Sequence, residues 1–409
     1  MSLSEPSQVA VRESDQDGVS LATSRSAAAL DRVLASMPAA AMAVFAVTRL
    51  ITVLTAAYLL PLGEFRSIHR SLWGWMVHSF DSNWYRIVAA HGYPSTDAMA
   101  KAGLFKWFPG YPAVIDTIAW IPGMGIARAG IVVTSVAGLA AAWGIARLGL
   151  RLTGDARISL LMVALWGVAP GAIVLSMMYS EAVFCAFAVW TLVAVAERRW
   201  LTAGILCLTA GAVHSNAVAL IAAVAVAALI CVVESARAHR PLSESARPVA
   251  AMILAPLGLI GWWVYVAVML GRFDGLAYSQ QLIGESFDWG SSTLRVVEHA
   301  FVKVPSAYLL VTVLALLTAL ALAAWSLTEP IPVYLRVYTL ALVVLTLSLN
   351  ADFMASKLRL LLPGAFLIAL PLARILAPVR TYVLMPLIAV LAMGSAWFTL
   401  FLATAGKVP

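Results

Sequence analysis

Apolar runs of about twenty residues alternate with short polar or proline-bearing breaks along most of this chain. A helix needs about that length to cross roughly 30 Å of hydrocarbon, so each run predicts a transmembrane span. The runs fall at 39–60, 128–150, 157–173, 179–197, 201–214, 215–234, 248–270, 305–326, 332–350, 358–377 and 381–404, about eleven in all. The pair 201–214 and 215–234 reads either as two spans or as one long helix broken around His214-Ser215-Asn216. The expected fold class is therefore all-α, a polytopic bundle of transmembrane helices.

The breaks divide the chain. Residues 1–38 are polar, with Glu5, Arg12, Glu13, Asp15 and Asp17 among serines and alanines, and no cleavable apolar region closes them. They read as a disordered cytoplasmic tail rather than a signal peptide, with 39–409 forming one membrane domain. The first span stops at Pro61, and a long polar segment, 62–127, follows it. Inside that segment the run Tyr111–Ile121 is bracketed by Pro109, Pro112 and Pro122. It is too short to cross a bilayer, so it predicts a helix lying on or dipping into the membrane face. A second polar segment covers 271–304.

Composition agrees: 62% of residues are hydrophobic and only 11% charged, against about 25% charged in soluble domains. The net charge of +7 does not point to nucleic acid, because the cations stand singly at span ends instead of forming a stripe. They report orientation instead. With the N-terminus inside, inner segments hold thirteen cations: Arg12, Arg25, Arg32, Arg147, Arg151, Arg157, Arg198, Arg199, Arg237, Arg240, Arg247, Arg374 and Arg380. The short outer loops after residue 127 hold six: Arg272, Arg295, Lys303, Lys357, Arg359 and Lys407. The positive-inside rule then sets 62–127, 174–178, 271–304 and 351–357 on the outer face. Cys185, Cys207 and Cys231 all lie in apolar runs, as core fillers with no metal or disulfide spacing.

Candidate chemistry gathers on that outer face. The first segment holds Phe80-Asp81-Ser82-Asn83-Trp84-Tyr85-Arg86, then His91-Gly92-Tyr93-Pro94, then Lys106-Trp107-Phe108-Pro109-Gly110-Tyr111-Pro112. Tyr179-Ser180-Glu181 opens a later span, His214-Ser215-Asn216-Ala217 sits at the break described above, and Lys357-Leu358-Arg359 precedes Leu360-Leu361-Leu362-Pro363. This ordered set, running from about 40 to 380, resembles the PIG-V-like mannosyltransferase family, multi-span glycosyltransferases of the GT-C architecture. In that architecture an acidic loop carrying surface helices follows the first span, which is where Asp81 and Tyr111–Ile121 fall. Two positions depart from the pattern: His214 stands where the family usually has Arg, and Lys106 where many members have an acidic or small residue.

The resemblance implies transfer of a hexose, mannose by family alone, from a polyprenyl phosphate donor to an acceptor hydroxyl on a glycolipid, polysaccharide or protein. Such a reaction needs a base for the acceptor proton, for which Asp81 stands at the motif position. It also needs cations or donors where the leaving phosphate gains charge; Arg86, His91, Lys106, His214, Asn216, Lys357 and Arg359 are the candidates. Trp84, Tyr85, Tyr93, Trp107, Tyr111, Tyr179 and Glu181 are candidates for contact with sugar or acceptor. No cofactor and no metal is expected, since no cluster of His and carboxylates is visible. Arg49 lies in mid-span, where a charge is either functional or paired within the bundle. Asp116 and Asp352 read as solvated, and Gln280-Gln281 with Asp288-Trp289 as either sugar-facing or interfacial.

A transporter or flippase for a lipid-linked sugar is the rival class, and a structural subunit a third. Transporters carry internal repeats and polar groups near the midplane, whereas the two halves here share no visible similarity and the polar residues gather at one face. Usage rich in Ala, Val and Arg points to a GC-rich bacterium, hence its plasma membrane. The orientation is testable in intact cells: Trp289→Cys should react with an impermeant maleimide and Arg199→Cys should not. The reverse labelling pattern overturns it.

Overall fold

The structure, a computed structural model, describes residues 36–69, 71–93, 103–303, 306–350 and 354–406. Most of the predicted N-terminal tail, part of the 62–127 segment, and Asp352 lie outside these residues. In chain order the α-helices are α1 (Ser36–Leu59), α2 (Leu72–His78), α3 (Asp81–His91), α4 (Gly110–Ala119), α5 (Gly125–Thr153), α6 (Ala156–Gly167) and α7 (Glu181–Ala196). They continue with α8 (Trp200–Gly211), α9 (Ala217–Arg237), α10 (Leu242–Leu254), α11 (Leu257–Leu270), α12 (Gly275–Leu282) and α13 (Ser291–Val302). The last are α14 (Ala307–Ser326), α15 (Val333–Ser348), α16 (Lys357–Leu360), α17 (Leu362–Ile368), α18 (Leu370–Leu376) and α19 (Thr381–Thr404). Short 3₁₀ turns sit at Gly63–Ser67, Leu104–Lys106 and Ala172–Ser176. Among the described residues the sole β feature is an isolated antiparallel bridge between Phe287 and Leu349.

The protein is thus all-helical, as its apolar runs require. Among the described residues six helices are long and apolar enough to cross a membrane: α1, α5, α9, the Ser243–Leu270 run spanning α10 and α11, α14 and α19. Four more apolar helices, α6, α7, α8 and α15, are shorter. At 1.5 Å per residue the twelve-residue α6 and α8 reach only about 18 Å. The predicted span 157–173 ends as helix at Gly167 and passes into irregular chain and a 3₁₀ turn, all but the residues around Pro170 fully buried. The predicted span 358–377 is broken at Leu361 and Ala369. Pro363 and Pro371 each open the next short helix, because proline lacks the amide that would continue the preceding one. The open question at His214 resolves into two helices, α8 and α9, separated by 212–216.

Local chemistry sets the ends. Asp155 accepts hydrogen bonds from the amides of Arg157 (2.6 Å) and Ile158 (3.1 Å), capping α6. Ser71 caps α2 through the Gly74 amide at 3.1 Å. The predicted surface helix at Tyr111–Ile121 forms as α4, burying Tyr111, Pro112 and Ile115 against α5 and leaving Val114, Trp120 and Ile121 exposed.

The core centres on α7, which is apolar all round and buried along nearly its whole length between α5, α8, α9 and α17. The long outer helices do the opposite. Leu50 and Leu54 on α1, Val268 on α11, and Met385 and Val390 on α19 are exposed. Large apolar faces of this kind suit a lipid bilayer rather than water. Small residues set the closest approaches: a Cβ on Gly258 would stand 1.8 Å from the Leu208 carbonyl oxygen, so α11 meets α8 backbone to backbone. Gly258→Ala must push these helices apart, a cost of about 1–3 kcal/mol for overpacking. Its thermal midpoint in detergent should fall by several degrees, while Gly394→Ala, with nothing near its Cβ, should leave the midpoint unchanged. Equal midpoints for the two variants would refute this packing.

Candidate functional site

Asp81 is the first residue of α3, and the chain is bent sharply to put it there. Phe80, directly before it, has φ +53°, a conformation that L residues other than glycine rarely adopt and that costs about 1–3 kcal/mol. Several contacts hold the bend. The Ser82 hydroxyl donates to the Met76 carbonyl at 2.9 Å, the Met178 amide donates to the same carbonyl at 3.2 Å, and the Asp81 amide faces the Tyr179 hydroxyl at 3.4 Å.

Two other elements meet Asp81 there. Arg359, on α16, sets Nη1 2.9 Å from Asp81 Oδ2 and Nε 3.0 Å from Glu181 Oε1. Its guanidinium also lies over the Tyr179 ring, 5.2 Å from the centroid. All three charged side chains are largely shielded from solvent, Asp81 the least so. Neither guanidinium contact has hydrogen-bond alignment, and Glu181 Oε2 has no hydrogen-bond partner among the described residues. The site therefore holds one cation against two carboxylates, with directional bonding capacity unused. Burial pushes the Asp81 carboxyl up, but Arg359 and then Lys106 pull it down further, so it lies below the ordinary carboxylate value. Burial, aided by the Glu181 and Asp81 charges, raises Tyr85 well above an ordinary phenol, so its hydroxyl stays protonated. That hydroxyl lies 2.6 Å from Ser180 Oγ.

These groups head a cavity of about 520 Å³. Asp81, Tyr85, Lys106, Trp107, Glu181, His214, Asn216 and Arg359, all expected from the sequence, line it. The His214 Nδ1 accepts from the Asn216 amide at 3.1 Å, and Asn216 Nδ2 donates to the Leu360 carbonyl at 3.1 Å, which pins α16 beside Arg359. The other side of the cavity is apolar. Val218 on α9, Leu259 and Ile260 on α11, and Leu345 on α15 come from membrane-length or apolar helices, and Val218 and Ile260 are exposed.

Other expected residues do not reach the cavity wall. Lys357 is fully buried, and its ammonium donates to the carbonyls of Thr346 (2.9 Å) and Leu349 (2.5 Å), stapling α16 to the end of α15. Arg86 is held on α3 by Asn83 Oδ1 at 2.9 Å. His91 is exposed at the far end of that helix. Tyr93 clips the loop, its hydroxyl donating to the Trp107 carbonyl and its ring lying against Phe105 and Trp262. Trp84 packs on Trp107, and Tyr111 stands behind Tyr85 with its hydroxyl 2.8 Å from Thr134 Oγ1. Tyr179 acts from beneath Arg359. Arg49 proves to be a brace: its Nη1 donates to the Ala172 carbonyl at 2.5 Å, holding the buried loop that leads to Tyr179. Asp116 is exposed on α4. Asp288 caps α13 through the amides of Gly290 and Ser292, and Trp289 is exposed. Among the described residues, no group of three or more His, Cys, Asp or Glu side chains gathers at metal-binding range.

Glu285, which pairs with Lys106 at 3.2 Å on the cavity lining, carries no signal in the sequence. A lone acid in a polar loop carries no spacing that marks it.

The charge balance around Arg359 has a pH signature. Because the Asp81 carboxyl is lowered in the fold, its contribution to stability is complete above the ordinary carboxylate range and is lost only as pH falls through the lowered value. In Arg359→Met, burial and the Glu181 charge both oppose ionisation of Asp81, so its folded value moves above the unfolded one. As pH falls from about 8 to about 5, that variant should gain more thermal stability than wild type does. Parallel unfolding profiles across this range would contradict the pairing.

No protein-family model matches this chain, and no curated protein matches it.

Proposed function

We propose that this protein is an integral-membrane glycosyltransferase that moves a hexose from a polyprenyl phosphate donor to an acceptor hydroxyl at the extracytoplasmic face. The observation that carries the reading is one cavity headed by Asp81 and Arg359 and walled by apolar residues of bundle helices. A lipid-linked phosphate sugar has the same order of chemistry: an apolar tail, an anion and a polar ring. Mannose as the hexose comes from the motif resemblance alone. The reading keeps eleven crossings and a GT-C-like arrangement, in which irregular buried backbone completes the short helices.

In the proposed reaction the acceptor hydroxyl loses its proton to Asp81 as its oxygen bonds to the anomeric carbon. The bond from that carbon to the phosphate oxygen breaks in the same displacement, with inversion. The released phosphate takes the electron pair, and Arg359 offsets its growing charge. Before donor arrives, Arg359 is engaged with Asp81 and lowers the basicity of its carboxylate. A phosphate competing for the guanidinium removes that restraint, so donor binding prepares the base.

Asp81→Asn keeps the shape and one acceptor oxygen but removes the basicity. Turnover in a membrane assay with polyprenyl phosphate mannose and an acceptor panel should fall by about 10²–10⁴-fold, the usual worth of a general base. Donor binding should persist. Purified, folded Asp81→Asn protein that transfers sugar within about tenfold of wild type would move the base elsewhere, with Glu181 next to be examined.

A further inference from the structure

One wall of the cavity carries polar groups that the transfer step above does not use. Lys106 and Glu285 face each other at 3.2 Å, with Gln280, Gln281, Trp107 and Trp263 on the same lining. Both ends of this pair stand on clamped backbone. The Glu285 amide donates to the Gln280 carbonyl at 3.0 Å. Asn350 holds the residues on either side, donating from Nδ2 to the Gly284 carbonyl (2.9 Å) and from its amide to the Ser286 carbonyl (3.0 Å). On the opposite side, Trp262 Nε1 donates to the Phe105 carbonyl at 3.2 Å. Gly103, at φ +65°, lies so close to α12 that a Cβ there would stand 2.9 Å from the Ser279 carbonyl oxygen. Backbone held this firmly gives the side chains on it the preorganisation that a recognition site requires.

Glu285 leaves bonding capacity unused. Glu285 Oε2 is shut off from solvent, its contact with Lys106 lacks hydrogen-bond alignment, and it has no other hydrogen-bond partner among the described residues. Trp107 Nε1 is likewise buried without a hydrogen-bond partner. A buried carboxylate oxygen left with one unaligned ammonium contact, and an indole N–H without a hydrogen-bond partner, each cost free energy unless a ligand completes their bonding. An ionised phosphate has no proton to donate to Glu285 Oε2, and an alkyl chain can satisfy neither group. A neutral ring bearing several hydroxyls can donate to the carboxylate, accept from the indole, and lay its C–H face on tryptophan.

We propose that this wall is a pyranose subsite in which Glu285 accepts hydrogen bonds from sugar hydroxyls and Trp107 Nε1 donates one. The proposal rests on the transferase reading only for which pyranose is bound, the donor hexose or a sugar of the acceptor. Binding is read directly by saturation-transfer NMR on purified protein with methyl α-mannopyranoside and methyl α-glucopyranoside. Wild type should show transfer to at least one glycoside, and Glu285→Gln should weaken that binding about tenfold to a hundredfold, as loss of a charged acceptor does. Thermal unfolding measured alongside separates a strut from a subsite: a lowered midpoint with unchanged glycoside binding overturns the proposal. Absence of saturation transfer in wild type overturns it as well. If Glu285→Gln does not fold, Trp107→Phe carries the test, with a severalfold loss of binding expected and unchanged binding overturning it. Where the protein transfers hexose, a raised KM for the donor marks the donor hexose, a raised KM for the acceptor marks the acceptor sugar, and an unchanged KM for both overturns the subsite. Glycoside binding that depends on Glu285 in a protein that transfers no hexose would sink the transferase reading and leave the subsite standing.

Discussion

The burial of Arg359 between Asp81 and Glu181 is the constraint on which the rest of this site depends. Taking charges out of water costs several kcal/mol per ion, and only close opposite charges offset it. Three elements far apart in the chain, the starts of α3 and α7 and the short α16, must therefore converge within about 3 Å contacts. Much of the surrounding structure serves that convergence. The strained turn at Phe80, the Tyr179 ring under the guanidinium, Asn216 pinning α16, and Arg49 bracing the 168–178 loop each fix one of the partners.

The cavity's charge balance follows from this arrangement. Asp81, Glu181 and Glu285 are set against Arg359 and Lys106, so the charged side chains of its lining sum to a slight negative excess. Lys357, the other cation of its motif, is spent on two backbone carbonyls and contributes nothing to the cavity wall. Under the transferase reading an anionic donor therefore gains a place only by exchanging with a carboxylate at Arg359. Donor arrival and release of the base become one event. The second charged pair, Lys106 with Glu285, stands on the same lining, and its ammonium also lowers the Asp81 carboxyl.

Irregular backbone deep in an apolar bundle is tolerated only when its polar groups are satisfied. The 168–178 loop meets that condition with donors from several directions. Arg49 reaches the Ala172 carbonyl, Ser395 Oγ donates to the Ala169 carbonyl at 2.8 Å, and the Met178 amide finds Met76. A mid-span arginine on α1, legible in the sequence only as an expensive charge, is thereby accounted for as the holder of the loop that delivers Tyr179 and Glu181.

The sequence by itself determined the helical class, six of the membrane-length runs, the short helix at Tyr111–Ile121, and the residues Asp81, Glu181 and Arg359 as candidates. Those properties are local: apolar run length, proline placement and motif order are all written in consecutive residues. Tertiary structure decided which candidates meet. It separated Arg359 from its near neighbour Lys357, sent Arg86 and His91 along α3 away from the cavity, broke the apolar run at 358–377 into three helices, and brought Glu285 to Lys106. Contacts between residues hundreds of positions apart depend on how helices pack and where buried charges find partners, and no pattern of neighbouring residues encodes that.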